Sequence, residues 1–172
     1  SRDAIVSFGE LLSSQIVAAF LRAEGVTATW LDVRRIMRTD GRFGSAEPQT
    51  SEITNLAKSE LLPLLGPGRV VVTQGYVGAT ADGITTTLGR GGSDYSAALI
   101  GAAIGTDEVQ IWTDVEGILT ADPRMVPEAS PVLHLSFREA AELAAFGAKV
   151  LHPATIQPAV EADIPVTVRH TL

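Results

Sequence analysis

Leu12, Ile16, Ala19 and Phe20 recur at the three- and four-residue spacing of one helical face. Ser7-Phe8-Gly9-Glu10 ahead of them has the Ser-x-x-Glu form of a capping box, and Gly25 stands where such a helix should stop. Residues 27–33 turn to β-formers and predict a strand, after which 34–48 are polar and irregular. Ile53, Leu56, Ala57, Leu61 and Leu64 mark a second helix, ended by Gly66-Pro67-Gly68. Val70-Val71-Val72-Thr73 has the unbroken apolar run of a strand buried on both faces of a parallel sheet. It leads into Gln74-Gly75-Tyr76-Val77-Gly78, a glycine-punctuated loop. Residues 95–104 are apolar nearly all round, which predicts a buried helix closed by Gly105. Val109-Gln110-Ile111-Trp112 predicts a strand closed by Thr113-Asp114, and 115–131 a loop or hairpin. Ser136-Phe137-Arg138-Glu139 is a second capping box, opening a helix to Phe146. Pro153 and Pro158 suit the first turns of short helical pieces, and Pro165-Val166-Thr167-Val168 predicts a last strand.

Strands alternating with helices predict an α/β fold with a mainly parallel sheet. In such sheets ligands sit beyond the carboxyl ends of the strands. Gly75, residues 89–94 and Thr113-Asp114 all fall at such ends or in loops near them. The 172 residues suit one domain, and 45% apolar content excludes disorder. A net charge of −7 argues against a general nucleic-acid binder, though a few local cations suffice for a small anion. There is no cysteine, and three scattered histidines do not suggest a zinc site. No apolar run approaches the roughly 20 residues that span a bilayer. Together these features point to the cytoplasm. The chain opens on Ser1-Arg2-Asp3 without a methionine, which suggests a piece of something longer.

The densest chemistry lies in Thr85-Thr86-Thr87-Leu88-Gly89-Arg90-Gly91-Gly92-Ser93-Asp94, read as a loop opening the apolar helix. Amides freed by glycine, a helix N-terminus and a cation make an anion site. A carboxylate at the same place fits phosphate alone poorly and suits a ligand carrying both signs of charge, such as an amino acid. The run is neither a Walker A motif nor a dinucleotide fingerprint, since Asp94 stands where the last glycine belongs. The competing structural reading is a turn and helix cap with Ser93 or Asp94 at the N-cap. Arg90 favours a ligand, because a guanidinium among glycines has little to pack on and can hold a carboxylate bidentately. Glu10, alone, fits a capping role, and Thr113-Asp114 a turn start. Lys149 fits helix-terminal carbonyls, Arg124 a surface position and Trp112 the core. Arg34, Arg35, Arg38 and Arg42 read as a solvated or interface cluster.

The motifs Ser7 to Glu10, Arg42-Phe43-Gly44, Thr85 to Asp94, Trp112 to Ile118, Asp122-Pro123-Arg124 and Phe146 to Pro153 resemble, in order and spacing, the aspartokinase catalytic domain. The likeness covers nearly the whole chain, and the Arg-Phe-Gly-x-Ala-Glu-Pro stretch resembles the lysine-sensitive branch. The resemblance implies the amino-acid-kinase fold, a three-layer α/β/α sandwich, here incomplete at its N-terminus, across residues 1–172 with no ACT regulatory domain. It implies phosphorylation of the L-aspartate side-chain carboxylate by ATP with Mg²⁺, giving 4-phospho-L-aspartate on the way to lysine, threonine and methionine.

By the same resemblance, Glu10, Arg90, Ser93 and Asp94 surround aspartate. Arg90 grips its α-carboxylate, while Glu10 and Asp94 sit near its ammonium. Gly75 and Tyr76 line that pocket, where many relatives carry phenylalanine at the second position. Thr113 and Asp114 contact the nucleoside, and Arg124 and Lys149 the phosphates. Asp94 and Lys149 are the catalytic candidates. Leu119 stands where several relatives place a tyrosine against the nucleotide; it keeps an apolar wall without the ring. The family's Lys-Phe-Gly-Gly-Thr-Ser segment, whose lysine bridges the transferred group, is not found in this sequence. An isolated chain is therefore expected to be nearly inactive and to expose apolar surface. No protein metal ligands, nucleic acid or membrane are expected. A homodimer, or fusion to another biosynthetic domain, is the expected assembly. A glutamate, acetylglutamate or nucleoside monophosphate kinase shares the implied fold, and a non-catalytic ligand-binding module is the alternative of another class.

Overall fold

The computed structural model describes residues 2–114, 117, 119–121, 125–145 and 153–171. The chain enters through α1 (Arg2–Val6) and α2 (Phe8–Ala23). Ser7 between them keeps right-handed helical backbone. Its N–H donates to the Asp3 carbonyl at 3.0 Å, and its own carbonyl accepts from the Leu11 N–H at 3.1 Å. The two segments therefore run on as one, which corrects the first capping box. Because the helix has begun at Arg2, the Ser7 hydroxyl donates back to the Ala4 carbonyl at 3.1 Å, and Glu10 is released from capping.

The merged stretch, Arg2–Ala23, is 22 residues long and has the length and composition to cross a membrane, more than any apolar run in the sequence suggests. Its packing shows a docked helix. Asp3, Ser7, Ser14 and Ala18 are buried, whereas Ile5, Phe8, Leu12, Ile16 and Phe20 are each more than half exposed. The helix thus turns its small polar stripe inward and its large apolar stripe outward, the reverse of a surface helix.

β1 (Thr27–Trp30) pairs in parallel with β2 (Arg69–Val72), Thr27 opposite Arg69 and Trp30 opposite Val72. β1 is shorter than the expected 27–33. The Asp32 carboxylate accepts the Arg34 N–H at 3.0 Å and starts a 3-10 turn over Val33–Arg35. α3 (Thr50–Leu56) widens into a π-type turn at Ala57–Leu61 and ends in a 3-10 turn at Leu62–Leu64. Pro63, lacking an N–H and crowding the carbonyl four residues back, accounts for that change of winding.

β3 (Val77–Ala79) and β4 (Thr85–Thr87) form an antiparallel pair with Val77 opposite Thr87. This corrects the loop expected over both segments. The three β-branched threonines are buried as a strand, and the Thr86 and Thr39 hydroxyls hydrogen-bond at 2.7 Å. Gly78 permits the approach: a Cβ there would lie 2.7 Å from Thr39 Cγ2.

α4 (Gly92–Ile104) packs against α3 and against α6 (Pro153–Glu161). β5 (Val109–Thr113) pairs in parallel with β6 (Val166–His170). Among the described residues the mainly parallel sheet thus consists of three two-stranded ladders, two of them parallel. α5 (Phe137–Ala145) opens on the second capping box, which forms as expected. The Ser136 N–H and hydroxyl donate to Glu139 Oε2 at 2.8 and 2.7 Å, and the Glu139 N–H donates to Ser136 Oγ at 3.3 Å. Phe146 lies outside the described residues. Pro153 begins α6, but Pro158 lies inside it, so the two short pieces are one helix. The core gathers Leu31, Val33, Ile36, Met37, Ile53 and Leu99 between the β1–β2 side and α4. A smaller cluster joins α4 to β5 and α6 through Ala98, Val109, Ala159 and Ile164.

Candidate active site

After β4 the chain turns through Gly89 and Gly91, whose φ values of +78° and +71° lie in the left-handed region that favours glycine. Gly91 is the N-cap of α4. Ser93 and Asp94 therefore occupy the first helical turn and not the cap, which corrects the capping reading and leaves both side chains uncommitted. The N-terminus of this 13-residue helix adds a positive dipole end beside Arg90.

Close backbone approaches hold the turn in place. A Cβ on Gly75 would lie 2.8 Å from Ser93 Cα, and one on Gly92 would lie 2.9 Å from the Tyr76 ring. One on Gly91 would lie 2.8 Å from Thr155 Cγ2 in the first turn of α6. Tyr76 itself has φ +68°, a backbone state strained for a bulky residue. Ser96 holds it there. The Tyr76 N–H donates to Ser96 Oγ at 3.0 Å, and that hydroxyl donates to the Gly92 carbonyl at 2.8 Å. The structure so brings together Gly75, Tyr76, Ser93 and, one residue on, Asp94.

Asp94 is half-buried, and burial pushes its carboxyl above the ordinary range. It makes no ion pair or hydrogen bond among the described residues, and neither does the exposed Arg90. Arg34, Arg35, Arg38 and Arg42 are engaged by contrast: with Asp32, with Glu60, with Glu52 and with Asp40 and Glu47. Glu10 is half-buried on α2, also without such a partner. Its helix is tied to the Gly75 loop, because Ser14 Oγ accepts from Gln74 Nε2 at 2.6 Å and from Trp30 Nε1 at 3.0 Å.

Thr113 and Asp114 end β5, where Thr113 Oγ1 donates to Asp114 Oδ1 at 3.2 Å. The Thr113 carbonyl accepts from the Thr171 N–H at 3.0 Å, and His170 Nε2 lies 3.2 Å from the Asp114 carbonyl. Leu119 bridges to Pro131 and is half-buried. Arg124 and Lys149, the expected phosphate contacts, lie outside the described residues. A cavity of about 800 Å³ opens between the 131–137 segment, α6 and β6, and among the described residues Thr113, Asp114 and Leu119 do not line it. Among the described residues no group of three or more His, Cys, Asp or Glu could hold a metal ion. The supporting side chains Asp3, Ser14, Gln74 and Ser96 escape sequence reasoning. Their one visible trace is the polar stripe of Asp3, Ser7, Glu10 and Ser14 through an otherwise apolar helix.

A helix N-terminus turned by glycines after β4, with Arg90 and Asp94 beside it, suits a small ligand that carries both signs of charge. The chain matches the model of the amino acid kinase family over residues 1–170 and belongs to that family. Within it, the chain is 54% identical over 166 residues to the lysine-sensitive aspartokinase 3 of Escherichia coli, covering 96% of this chain and 37% of that protein. It is 43% identical over 173 residues to the chloroplastic aspartokinase 1 of Arabidopsis thaliana, covering 99% of this chain and 30% of the relative. The crystal structure of E. coli aspartokinase III in complex with aspartate and ADP superposes with a TM-score of 0.90, covering 98% of this chain and 37% of that one. The fold is therefore the three-layer amino-acid-kinase fold. The chain spans about a third of the length of these relatives, 37% of one and 30% of the other.

Proposed function

We propose that this chain is part of an aspartokinase catalytic unit, which transfers the γ-phosphoryl group of ATP to the side-chain carboxylate of L-aspartate. ADP leaves and 4-phospho-L-aspartate forms. The observation that carries the reading is Asp94, a half-buried carboxylate that has no hydrogen-bond or ion-pair partner among the described residues, in the first turn of a helix that begins beside Arg90, likewise without one among them. A substrate ammonium compensates such a carboxylate, and a substrate α-carboxylate compensates the arginine. Glu10 adds a second anion for the ammonium. The similarity to aspartokinases, one of them solved with aspartate and ADP, supports the same assignment.

The chemistry asks little of an acid or base, since the attacking carboxylate is already ionised near neutral pH. Positioning and charge neutralisation carry phosphoryl transfer. Arg90, Glu10 and Asp94 would fix the backbone end of aspartate so that its side chain points at ATP, with Ser93, Gly75 and Tyr76 walling the pocket. Thr113, Asp114 and Leu119 would hold the nucleoside, and Arg124 and Lys149 the phosphates, with Lys149 neutralising the transferring group. Mg²⁺ would arrive on the ATP phosphates, held by them and by water. We assign the reaction to the cytoplasm and the working form to a homodimer.

A coupled ADP-release assay on the full-length protein, with aspartate, glutamate and N-acetylglutamate in parallel, tests the assignment. Turnover of aspartate alone is expected; turnover of glutamate in preference to aspartate would overturn it. Size-exclusion chromatography with light scattering tests the dimer.

A further inference from the structure

We propose that Asp3 is a positioning residue for the substrate loop, an inference that rests on the proposed active site. Asp3 is 3% exposed and lies near the start of the entry helix. Its Oδ2 accepts three hydrogen bonds, from the Gly44 N–H at 2.8 Å, the Thr87 N–H at 2.8 Å and Thr87 Oγ1 at 3.0 Å. One carboxylate oxygen thus joins three segments far apart in sequence: the entry helix, the loop at 42–46 and the last residue of β4.

Thr87 is the hinge into Leu88, Gly89 and Arg90. Its carbonyl accepts from the Ala46 N–H at 2.9 Å, so the 42–46 loop is fastened on both sides of this peptide. That loop then lies directly against the turn, since a Cβ on Gly89 would be 3.2 Å from the Gly44 carbonyl. Release of Gly44 frees the surface on which Gly89 rests, and with it the bearing of Arg90. The same helix carries Glu10 two turns further on, with Ser14 anchored beyond it on Gln74 and Trp30. Asp3 and Ser14 are therefore two pins on either side of Glu10, and together they fix which way that carboxylate faces. These three donors satisfy the buried carboxylate oxygen by hydrogen bonding.

The test compares Asp3→Asn, Asp3→Ala and Thr87→Val in the full-length protein. Asparagine keeps an acceptor oxygen, and valine removes one of the three donors without touching the carboxylate. We expect the KM for aspartate to rise about tenfold in Asp3→Ala and less in Asp3→Asn, with the KM for ATP nearly constant. Amide exchange at Gly44 and Thr87 is expected to speed up in the same order. Should Asp3→Ala not fold, the other two variants carry the comparison. Loss of thermal stability with unchanged KM for aspartate in the folded fraction would show a purely structural role and overturn the proposal, as would unchanged exchange at Gly44. A wild-type protein that turns over a different amino acid would defeat the aspartate assignment alone, and the same KM comparison is then made with that substrate.

Discussion

Asp94 holds its negative charge against its surroundings, and that has a sign that can be measured. Burial raises its folded value above the ordinary 3.8. Between the unfolded and folded values the native chain binds more protons, so stability falls as pH rises through that window. Above it, the whole penalty is present. Asp94→Asn should therefore raise the melting temperature near pH 7, with the gain closing as pH falls below the ordinary value; calorimetry at both ends checks it. The same substitution should weaken aspartate binding, the usual exchange of stability for function at a site. Arg90→Ala should raise the KM for aspartate by about 10²-fold and leave that for ATP alone, while Arg90→Lys recovers part of the loss. Gly75→Ala drives a methyl into the Ser93 backbone and should cost about 1–3 kcal/mol in chemical denaturation. The charges of this site were legible in the sequence because uncommitted charge among glycines is unusual. The groups that orient them were not, because Asp3 and Ser96 are ordinary residues until the fold closes gaps of 84 and 20 residues.

At the level of elements, two Ser-x-x-Glu motifs had opposite fates for a physical reason. Ser136 follows a proline-bearing extended segment, so its helix has nowhere earlier to begin and the box forms. Ser7 follows residues able to wind, and one more turn of helix outweighs a cap. Composition around Thr85 to Thr87 misled in another way: the flanking glycines suggest a loop, but three β-branched residues pair well with β3. Helix α2 docks through hydrogen bonds, and Ser14 is its firmest contact. Ser14→Ala would leave Gln74 Nε2 and Trp30 Nε1 short of an acceptor and should destabilise by about 1–3 kcal/mol. Gln74→Leu carries its own cost, because Gln74 Oε1 accepts the buried Val33 N–H at 2.8 Å. In a double-mutant cycle the combined loss should still be less than the sum of the two single losses, since the orphaned amide goes with the side chain. Strict additivity would show that the bond carries no weight.

For the whole molecule, the alternation of strands and helices gave the α/β class, and the parallel pairs β1–β2 and β5–β6 agree with it. What alternation could not show is which face of each helix meets the sheet, because apolar periodicity fixes a stripe and not its direction. The outward stripe of Ile5, Phe8, Leu12, Ile16 and Phe20 makes the 172-residue chain prone to associate. Light scattering should find assemblies that Ile16→Glu with Phe20→Glu disperses, with helical circular dichroism preserved. Dispersal failing while the helix persists would point to another surface. The inverted helix also sets a trap for protein engineering. A redesign that rewards apolar residues inside and polar ones outside would see α2 as upside down and repaint it. The repainted helix would roll about its axis by roughly half a turn to bury its new grease, and Glu10 would be carried round to the solvent side.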